Sequence, residues 1–392
     1  MEVIINRKAE KKLRQGYPLI QKEDLQIVPH PFPVDWLTFV TIDKQKIATG
    51  YLGEQNKGIG WLLNWSGEVD TAFFIQKFQQ ARNKRKKFER DEATTAYRLF
   101  NSEGDGIGGL TIDYYNQYVV FSWYNATLYT HRTEVINAFQ QCYPEIKGIY
   151  EKIRFTNHLL PESAFVYGIT APEPLIIQEN GINFAVYLNE GLMTGIFLDQ
   201  KMVRKSLLDG FARGKKVLNM FSYTGAFSVA SAMGGAKSTT SVDLAKRSLV
   251  KTKEQFENNH LSADNQKIIV MDVFEYFNYA VRKKLMYDLI ILDPPSFARN
   301  KKKVFSVAKD YGELVKKAVD CLEINGWLLA STNAANLSLE KYQKLITDAL
   351  NEKNVSYEIT DTYRLPEDFP VATTFAEGNY LKVFFIHIQK DK

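Results

Sequence analysis

Asp293, Pro294, Pro295, Ser296 and Phe297 close an apolar run, DLIILDPPSF, and carry the sharpest chemical signature in the chain. Prolines have no amide hydrogen and hold the backbone extended, so the carbonyls here, with the Asp293 carboxylate, can face a planar polar substrate while Phe297 stacks on it. The alternative is a rigid turn with a buried phenylalanine. On the first reading the expected chemistry is methyl transfer to a nitrogen or carbon of a nucleobase, where the protein mainly aligns acceptor and donor.

Two more acids occupy comparable places. Thr239–Val242 runs into Asp243 and Lys267–Met271 into Asp272, as Asp288–Leu292 runs into Asp293. Open α/β sheets bind ligands at the carboxyl ends of their strands, and the acid after the second strand accepts hydrogen bonds from a ribose diol. One such acid could be a helix cap; three in register point to a ligand edge.

The stretch VLNMFSYTGAFS precedes them, with a strand at Val217–Phe221 and a helix carrying Phe227, Val229, Ala230 and Ala232 that Gly234 and Gly235 stop. Between the two lies the turn Ser222, Tyr223, Thr224, Gly225. A dinucleotide would want G-x-G-x-x-G there. One glycine and two bulkier side chains suit a nucleoside ligand without phosphate, of which S-adenosylmethionine (SAM) is the common one. A βαβ unit of an unrelated α/β enzyme is the alternative. Upstream, TGIFLDQK enters a helix through Asp199, placed to cover the open side of such a pocket; its plain reading is a helix cap.

Residues 175–392 alternate strand and helix, which argues a mostly parallel sheet with helices on both faces. Its strands are expected at Val217–Phe221, Thr239–Val242, Lys267–Met271, Asp288–Leu292 and Trp327–Ser331, closed by Tyr357–Tyr363 and Tyr380–His387. Residues 1–74 read as short strands, at Trp36–Asp43, Lys46–Gly53 and Ile59–Trp65. A basic helix from Asp70 then leads into residues 75–174, a small α+β module with strands at Tyr97–Ser102, Leu110–Asn125 and Ile146–Ile153 and a helix at Thr127–Tyr143. Asp105, Gly106, Gly108 and Gly109 lack a strand-to-helix context for a phosphate loop and read as a plain turn.

With 392 residues, 45% hydrophobic and 13% aromatic, the chain can fill two or three cores. It has no apolar run long enough for a bilayer and no secretory leader, which suggests the cytoplasm. Two cysteines and five scattered histidines argue against a disulfide framework and a metal site. The net charge of +5 is modest, but basic residues cluster at Arg7, Lys8, Lys11, Lys12 and Arg14, at Lys84–Lys87 and at Lys301–Lys303. Each run alone suits a solvated helix face; three beside a nucleoside pocket favour RNA or DNA.

Chemistry divides the acceptor atoms. Cytosine carbon 5 becomes nucleophilic only after a thiolate adds to carbon 6, whereas guanine N7 has a lone pair and needs positioning alone. The fourth strand offers Ser296 and the fifth, in WLLASTNAAN, offers Asn333. Cys321 sits among core residues and Cys142 lies in another domain.

The segments TGIFLDQK, VLNMFSYTGAFS, SVD, LDPPSFARNKKKVFSVAKDY and FPVATTFAEGNYLKV together resemble the bacterial 23S rRNA large-subunit methyltransferases related to the cytosine-C5 enzyme. The resemblance spans essentially the whole chain. It implies an N-terminal PUA domain for RNA, a central module that helps shape the RNA cleft, and a C-terminal Rossmann-like class I methyltransferase domain. It places the methionine part of SAM on Asn219, Phe221, Ser222, Tyr223, Thr224 and Gly225, the ribose on Asp243, the adenine amino group on Asp272 and the methyl group beside Asp293. Asp199 and Gln200 would close the pocket, and the family suggests a homodimer. Members that methylate cytosine carbon have Ser-Cys-Ser where this chain has Thr332, Asn333 and Ala334, which is closer to the Ser-Asn-Asn of a related guanine-N7 domain. A SAM-dependent methyltransferase of 23S rRNA with a nitrogen acceptor is therefore expected. The rivals are cytosine-C5 chemistry, a non-catalytic RNA-binding assembly factor and, disfavoured by the missing glycines, a nicotinamide oxidoreductase.

Overall fold

Short strand-forming runs follow residue 215, and those of the central strands are largely apolar and continuous, as cover on both faces requires. In the computed structural model, which describes residues 1–299 and 304–389, they form one seven-stranded sheet. Its strands are β1 (Lys216–Met220), β2 (Ser238–Asp243), β3 (Gln266–Val270), β4 (Tyr287–Leu292), β5 (Leu322–Thr332), β6 (Ser356–Tyr363) and β7 (Lys382–Gln389). Their spatial order is β3-β2-β1-β4-β5-β7-β6. The strands β1 to β5 pair in parallel, and β7 runs antiparallel between β5 and β6. The strand order reverses between β1 and β4, and that switch point opens a crevice at the carboxyl edge.

The helices that accompany this sheet include α1 (Ala226–Met233), α2 (Arg247–Glu257), α3 (Val273–Arg282), α4 (Val307–Asp320) and α5 (Leu339–Glu352). Leu218, Met220, Ile290 and Leu292 from the sheet share a core with Tyr311, Leu314, Tyr342 and Ile346 from α4 and α5. Gly234 and Gly235 end α1 as expected, and a Cβ on Gly234 would lie 2.1 Å from the Leu207 carbonyl oxygen. Close backbone approach therefore demands glycine there.

By compactness the chain divides into two units. This sheet belongs to residues 178–185, 195–366 and 379–392, while residues 1–177, 186–194 and 367–378 form the other. The latter holds two five-stranded sheets. One is built from Glu2–Ile4, Leu37–Val40, Lys46–Leu52, Gly60–Asn64 and Leu19–Ile20; the other runs Ser163–Gly168, Gly148–Ile153, Tyr118–Trp123, Leu110–Tyr115, Ala96–Asn101.

Several local expectations need correction. Arg7–Arg14 is a helix rather than part of a strand pattern; only Ala9 and Leu13 are buried on it, too few apolar positions for the periodicity to register. The helix expected at Thr127–Tyr143 is two, Ala126–Thr130 and Arg132–Cys142, parted at His131. The segment read as a plain turn contains a short helix, Ser102–Asp105, whose acid is buried. Asp105 takes a bidentate pair from Arg85, at 2.6 and 3.1 Å, and a third bond from Lys84 at 2.9 Å.

That arrangement also removes Arg85 from the basic run Lys84–Lys87. Arg85 is 1% exposed and locked to Asp105, Lys84 is engaged by the same carboxylate, and Lys87 pairs with Glu367. Arg85, inside the fold, has little left for a phosphate, whereas Lys84, Lys86 and Lys87 are exposed at the surface. On the helix Arg7–Arg14, Arg7, Lys8 and Lys11 are likewise exposed, while Lys12 and Arg14 pair with Asp24 and Glu10. The run Lys301–Lys303 lies outside the described residues.

Candidate active site

Asn219, one residue from the end of β1, is 1% exposed. Its Nδ2 donates to Ser228 Oγ on α1 at 3.0 Å, and Ser228 shares a hydrogen bond with Ser241 Oγ on β2 at 2.7 Å. This anchors the amide and leaves its Oδ1 buried with no partner.

The turn after β1 is held in an uncommon conformation. Phe221, Tyr223 and Gly225 have φ of +58°, +51° and +77°, a left-handed region that only glycine enters without strain. Strain of this kind persists where surrounding bonds enforce it. Ser222 N donates to Val242 O at 3.0 Å, Tyr223 N to Asp243 Oδ2 at 2.9 Å, and Thr224 Oγ1 to Gly195 O at 2.6 Å. A Cβ on Gly225 would lie 2.4 Å from Thr252 Cγ2 on α2. The carboxylate of Asp243, which also accepts from Ala245 N at 2.8 Å, thus ties β2 to this turn.

Asp272 plays a different part. Its Oδ1 accepts from Phe274 N at 2.9 Å and Glu275 N at 3.2 Å, so this acid is the N-cap of α3. The cap reading holds for it, and it stands at the same sheet edge.

Gln200 and Asp293 come together in one hydrogen-bond network, with Asp199 near enough for its charge to act on Asp293. Gln200 is 3% exposed, and its Nε2 donates to Asp293 Oδ1 at 3.2 Å and to Ser331 Oγ at 2.7 Å. Ser331 Oγ in turn donates to Asp293 Oδ1 at 2.7 Å. Asp199 accepts from the Tyr380 hydroxyl at 3.0 Å. Arg204 fixes the segment by a buried bidentate pair with Glu179, at 2.6 and 2.7 Å, and a 2.7 Å bond to Phe197 O. Burial pushes the Asp293 carboxyl up to about 6; the neighbouring Asp199 charge adds to the rise, while the Ser331 bond and the Arg204 charge oppose it.

Beyond Asp293, Pro294 is buried and Pro295 exposed. Ser296 Oγ donates to Asn333 Oδ1 at 2.9 Å, and Phe297 is 66% exposed. The buried-phenylalanine alternative is therefore excluded. Beneath this rim the buried Tyr311 hydroxyl lies 3.2 Å from Leu292 O and 3.1 Å from Ser331 O, bracing the ends of β4 and β5.

Sequence reasoning missed Ser331, Tyr380, Ser228, Ser241 and Tyr311. Serines and tyrosines are common in any sequence, and only folding shows what they touch. The NYLKV motif was the one signal available for Tyr380.

A family model for S-adenosylmethionine-dependent methyltransferases matches residues 152–381, and one for a PUA-like domain matches residues 3–65. YwbD of Bacillus subtilis (strain 168), named as a candidate ribosomal RNA large subunit methyltransferase, is 49% identical over 98% of this chain and 99% of its own. Ribosomal RNA large subunit methyltransferase I of Yersinia pseudotuberculosis serotype O:1b is 32% identical, over 84% of this chain and 83% of its own. The crystal structure of SMU.776, a candidate methyltransferase complexed with SAH, superposes with a TM-score of 0.93 at 47% identity, covering 99% of this chain and 100% of that one. The chain belongs to the SAM-dependent methyltransferases, in the branch of ribosomal RNA large subunit methyltransferases that carries a PUA-like domain.

The residues at the sheet edge fit the cofactor of that family. Gln200 Oε1, Asn219 Oδ1 and Ser222 Oγ are buried without a hydrogen-bond partner. Buried polar atoms are normally satisfied, and SAM brings an ammonium, ribose hydroxyls and an adenine amino group to satisfy them.

Asp293 also yields a stability test. A carboxyl whose pKa is raised on folding penalises the native state fully above about pH 6, and the penalty disappears below the ordinary carboxylate value near 4. Asp293→Asn should therefore stabilise the cofactor-free protein at pH 7.5, by no more than about 3 kcal/mol for a two-unit shift. The gain should shrink as pH falls through 6 to 4. Thermal melts across that range that show a constant difference would contradict the assignment.

Proposed function

We propose that this protein methylates a ring or exocyclic nitrogen of a 23S rRNA base, with guanine N7 the favoured acceptor. The observation that carries the nitrogen reading is Asn333: an amide, hydrogen-bonded to Ser296, stands where the cytosine-C5 members have their cysteine. An amide cannot add to cytosine carbon 6 at neutral pH, and both cysteines, Cys142 and Cys321, are buried elsewhere.

In this reading Asn219, Phe221, Ser222, Tyr223, Thr224 and Gly225 hold the methionine part of SAM, Asp243 the ribose and Asp272 the adenine. Asp199 and Gln200 close the pocket. SAM supplies an activated methyl group on a sulfonium, so neither a metal nor a covalent enzyme intermediate is required. The protein's part is alignment: Asp293 with the carbonyls of Pro294 and Pro295 fixes the hydrogen-bonding edge of the base, Phe297 stacks on its face, and Asn333 bounds the far side. Residues 1–74 capture RNA, residues 75–174 shape its path and residues 175–392 carry out transfer. Such a substrate places the protein in the cytoplasm; among the described residues no helix is long and apolar enough to cross a membrane.

The RNA-binding role is best supported on the helix Arg7–Arg14. Neutralising Arg7, Lys8 and Lys11 together should weaken binding to rRNA and lower the slope of log affinity against log salt by about one for each phosphate no longer neutralised. Filter-binding at graded salt would decide, an unchanged slope returning these side chains to the solvent.

A homodimer has a physical basis in the edge strand Ser163–Gly168. It bears no charge and leaves Phe165, Val166 and Tyr167 at 36%, 38% and 56% exposure, and unpaired edges of this kind favour pairing with another strand. Light scattering should find a dimer that Val166→Lys converts to monomer; a wild-type monomer would end this part of the reading.

The acceptor itself is tested by nucleoside mass spectrometry of 23S rRNA from cells with and without the gene. Loss of one N-methylated nucleoside, restored by the wild type and not by Asp293→Ala, is the expected result. Loss of 5-methylcytidine would overturn the nitrogen reading, and no change would favour a silent assembly factor.

A further inference from the structure

Lys382, the first residue of β7, is a buried lysine with an unusual set of partners. It is 3% exposed, and its Nζ donates to Ala334 O at 3.1 Å and Tyr380 O at 2.7 Å. Both acceptors are neutral carbonyls, and among the described residues no carboxylate pairs with it. Burying an ammonium without a counter-charge is unfavourable. The result is visible in its pKa, which burial and then the Arg364 charge bring down to about 8. A methionine would fill the same space without that electrostatic penalty.

The place of those bonds supplies the reason. Lys382 is the cross-strand partner of Thr332, where β5 ends. Two residues on, Ala334 is held from both sides: its N donates to Thr332 Oγ1 at 3.2 Å, and its O accepts from Lys382 and from Leu337 N, the latter at 3.2 Å. Between the two anchors Asn333 is the exposed residue, and it reaches across to Ser296. The three-residue segment is thus a short arch whose outer end is tied down by one buried side chain.

We infer that Lys382 is a positioning residue for the methyl acceptor, fixing the arch so that Asn333 meets the base. The inference rests on the reading that Asn333 faces the acceptor. It differs from a role in cofactor binding, which the segment just before the strand approaches because Tyr380 bonds Asp199. Alignment errors near 1 Å can slow group transfer by about 100-fold, so a loosened arch acts on the chemical step.

The test is a double-mutant cycle on the full-length protein, with SAH affinity from calorimetry and single-turnover methyl transfer to 23S rRNA from a strain lacking the gene. Lys382→Met should keep SAH affinity within about threefold and slow transfer about 10- to 100-fold. In an Asn333→Ala background the same substitution should add less than about threefold, because the two residues act as one unit. A wild-type rate in Lys382→Met, a collapse of SAH affinity, or a full multiplicative loss on top of Asn333→Ala would overturn the inference. Asn333→Ala at the wild-type rate would instead overturn the acceptor-side reading, and Lys382 with it.

Discussion

Holding the Asp293 carboxylate out of water, at the point where the strand order reverses between β1 and β4, is the constraint on which the rest of the site depends. An unpaired carboxylate there would be strongly unfavourable. Gln200 and Ser331 both donate to one of its oxygens, and each comes from a different element: Gln200 from the segment before the sheet, Ser331 from β5. The acid therefore organises three parts of the chain. Arg204, clamped on Glu179, sets where Gln200 stands, and Tyr311 braces β4 against β5 so that Asp293 and Ser331 keep register.

A second constraint acts one strand away. The turn after β1 places two non-glycine residues, Phe221 and Tyr223, at positive φ, and no local preference would maintain that. The bonds that do so come from β2: Val242 O and the Asp243 carboxylate each take an amide of the turn. Asp243 thus shapes this turn through the protein's own hydrogen bonds. Preorganisation of this kind lets a site bind without first reordering itself.

The fold was legible because a buried parallel sheet announces itself. β1 and β4 are short, largely apolar runs ending at the edge, β2 and β3 are marked by β-branched residues, and the alternation with helices points to the class of sheet. The site was legible only in part. Acids at strand ends and the Asp-Pro-Pro segment are rare enough to notice, but Ser331 and Tyr380 are ordinary residues whose meaning lies in distances across long stretches of chain. Charge was legible in part for the same reason: Lys84–Lys87 is a basic run in one dimension, and in three its Arg85 is the interior partner of Asp105 while its lysines stay exposed. The helix Arg7–Arg14, with two buried positions, fell below what periodicity can reveal.

On the proposed reading of the acceptor side, a single replacement changes what the surrounding fold must do. A cysteine nucleophile tolerates some freedom, because the covalent bond it forms fixes the base. An amide forms no such bond, so a base methylated directly on nitrogen must be aligned by non-covalent interactions alone, and each of them must be stiff. Asn333 is tethered to Ser296, flanked by Thr332 and Ala334 under local bonds, and set over a buried ammonium that a plain structural core would not retain. Rigidity around Asn333 is what the proposed attack by a ring nitrogen would require, and on that reading it links the identity of this one residue to the architecture of β5 and β7.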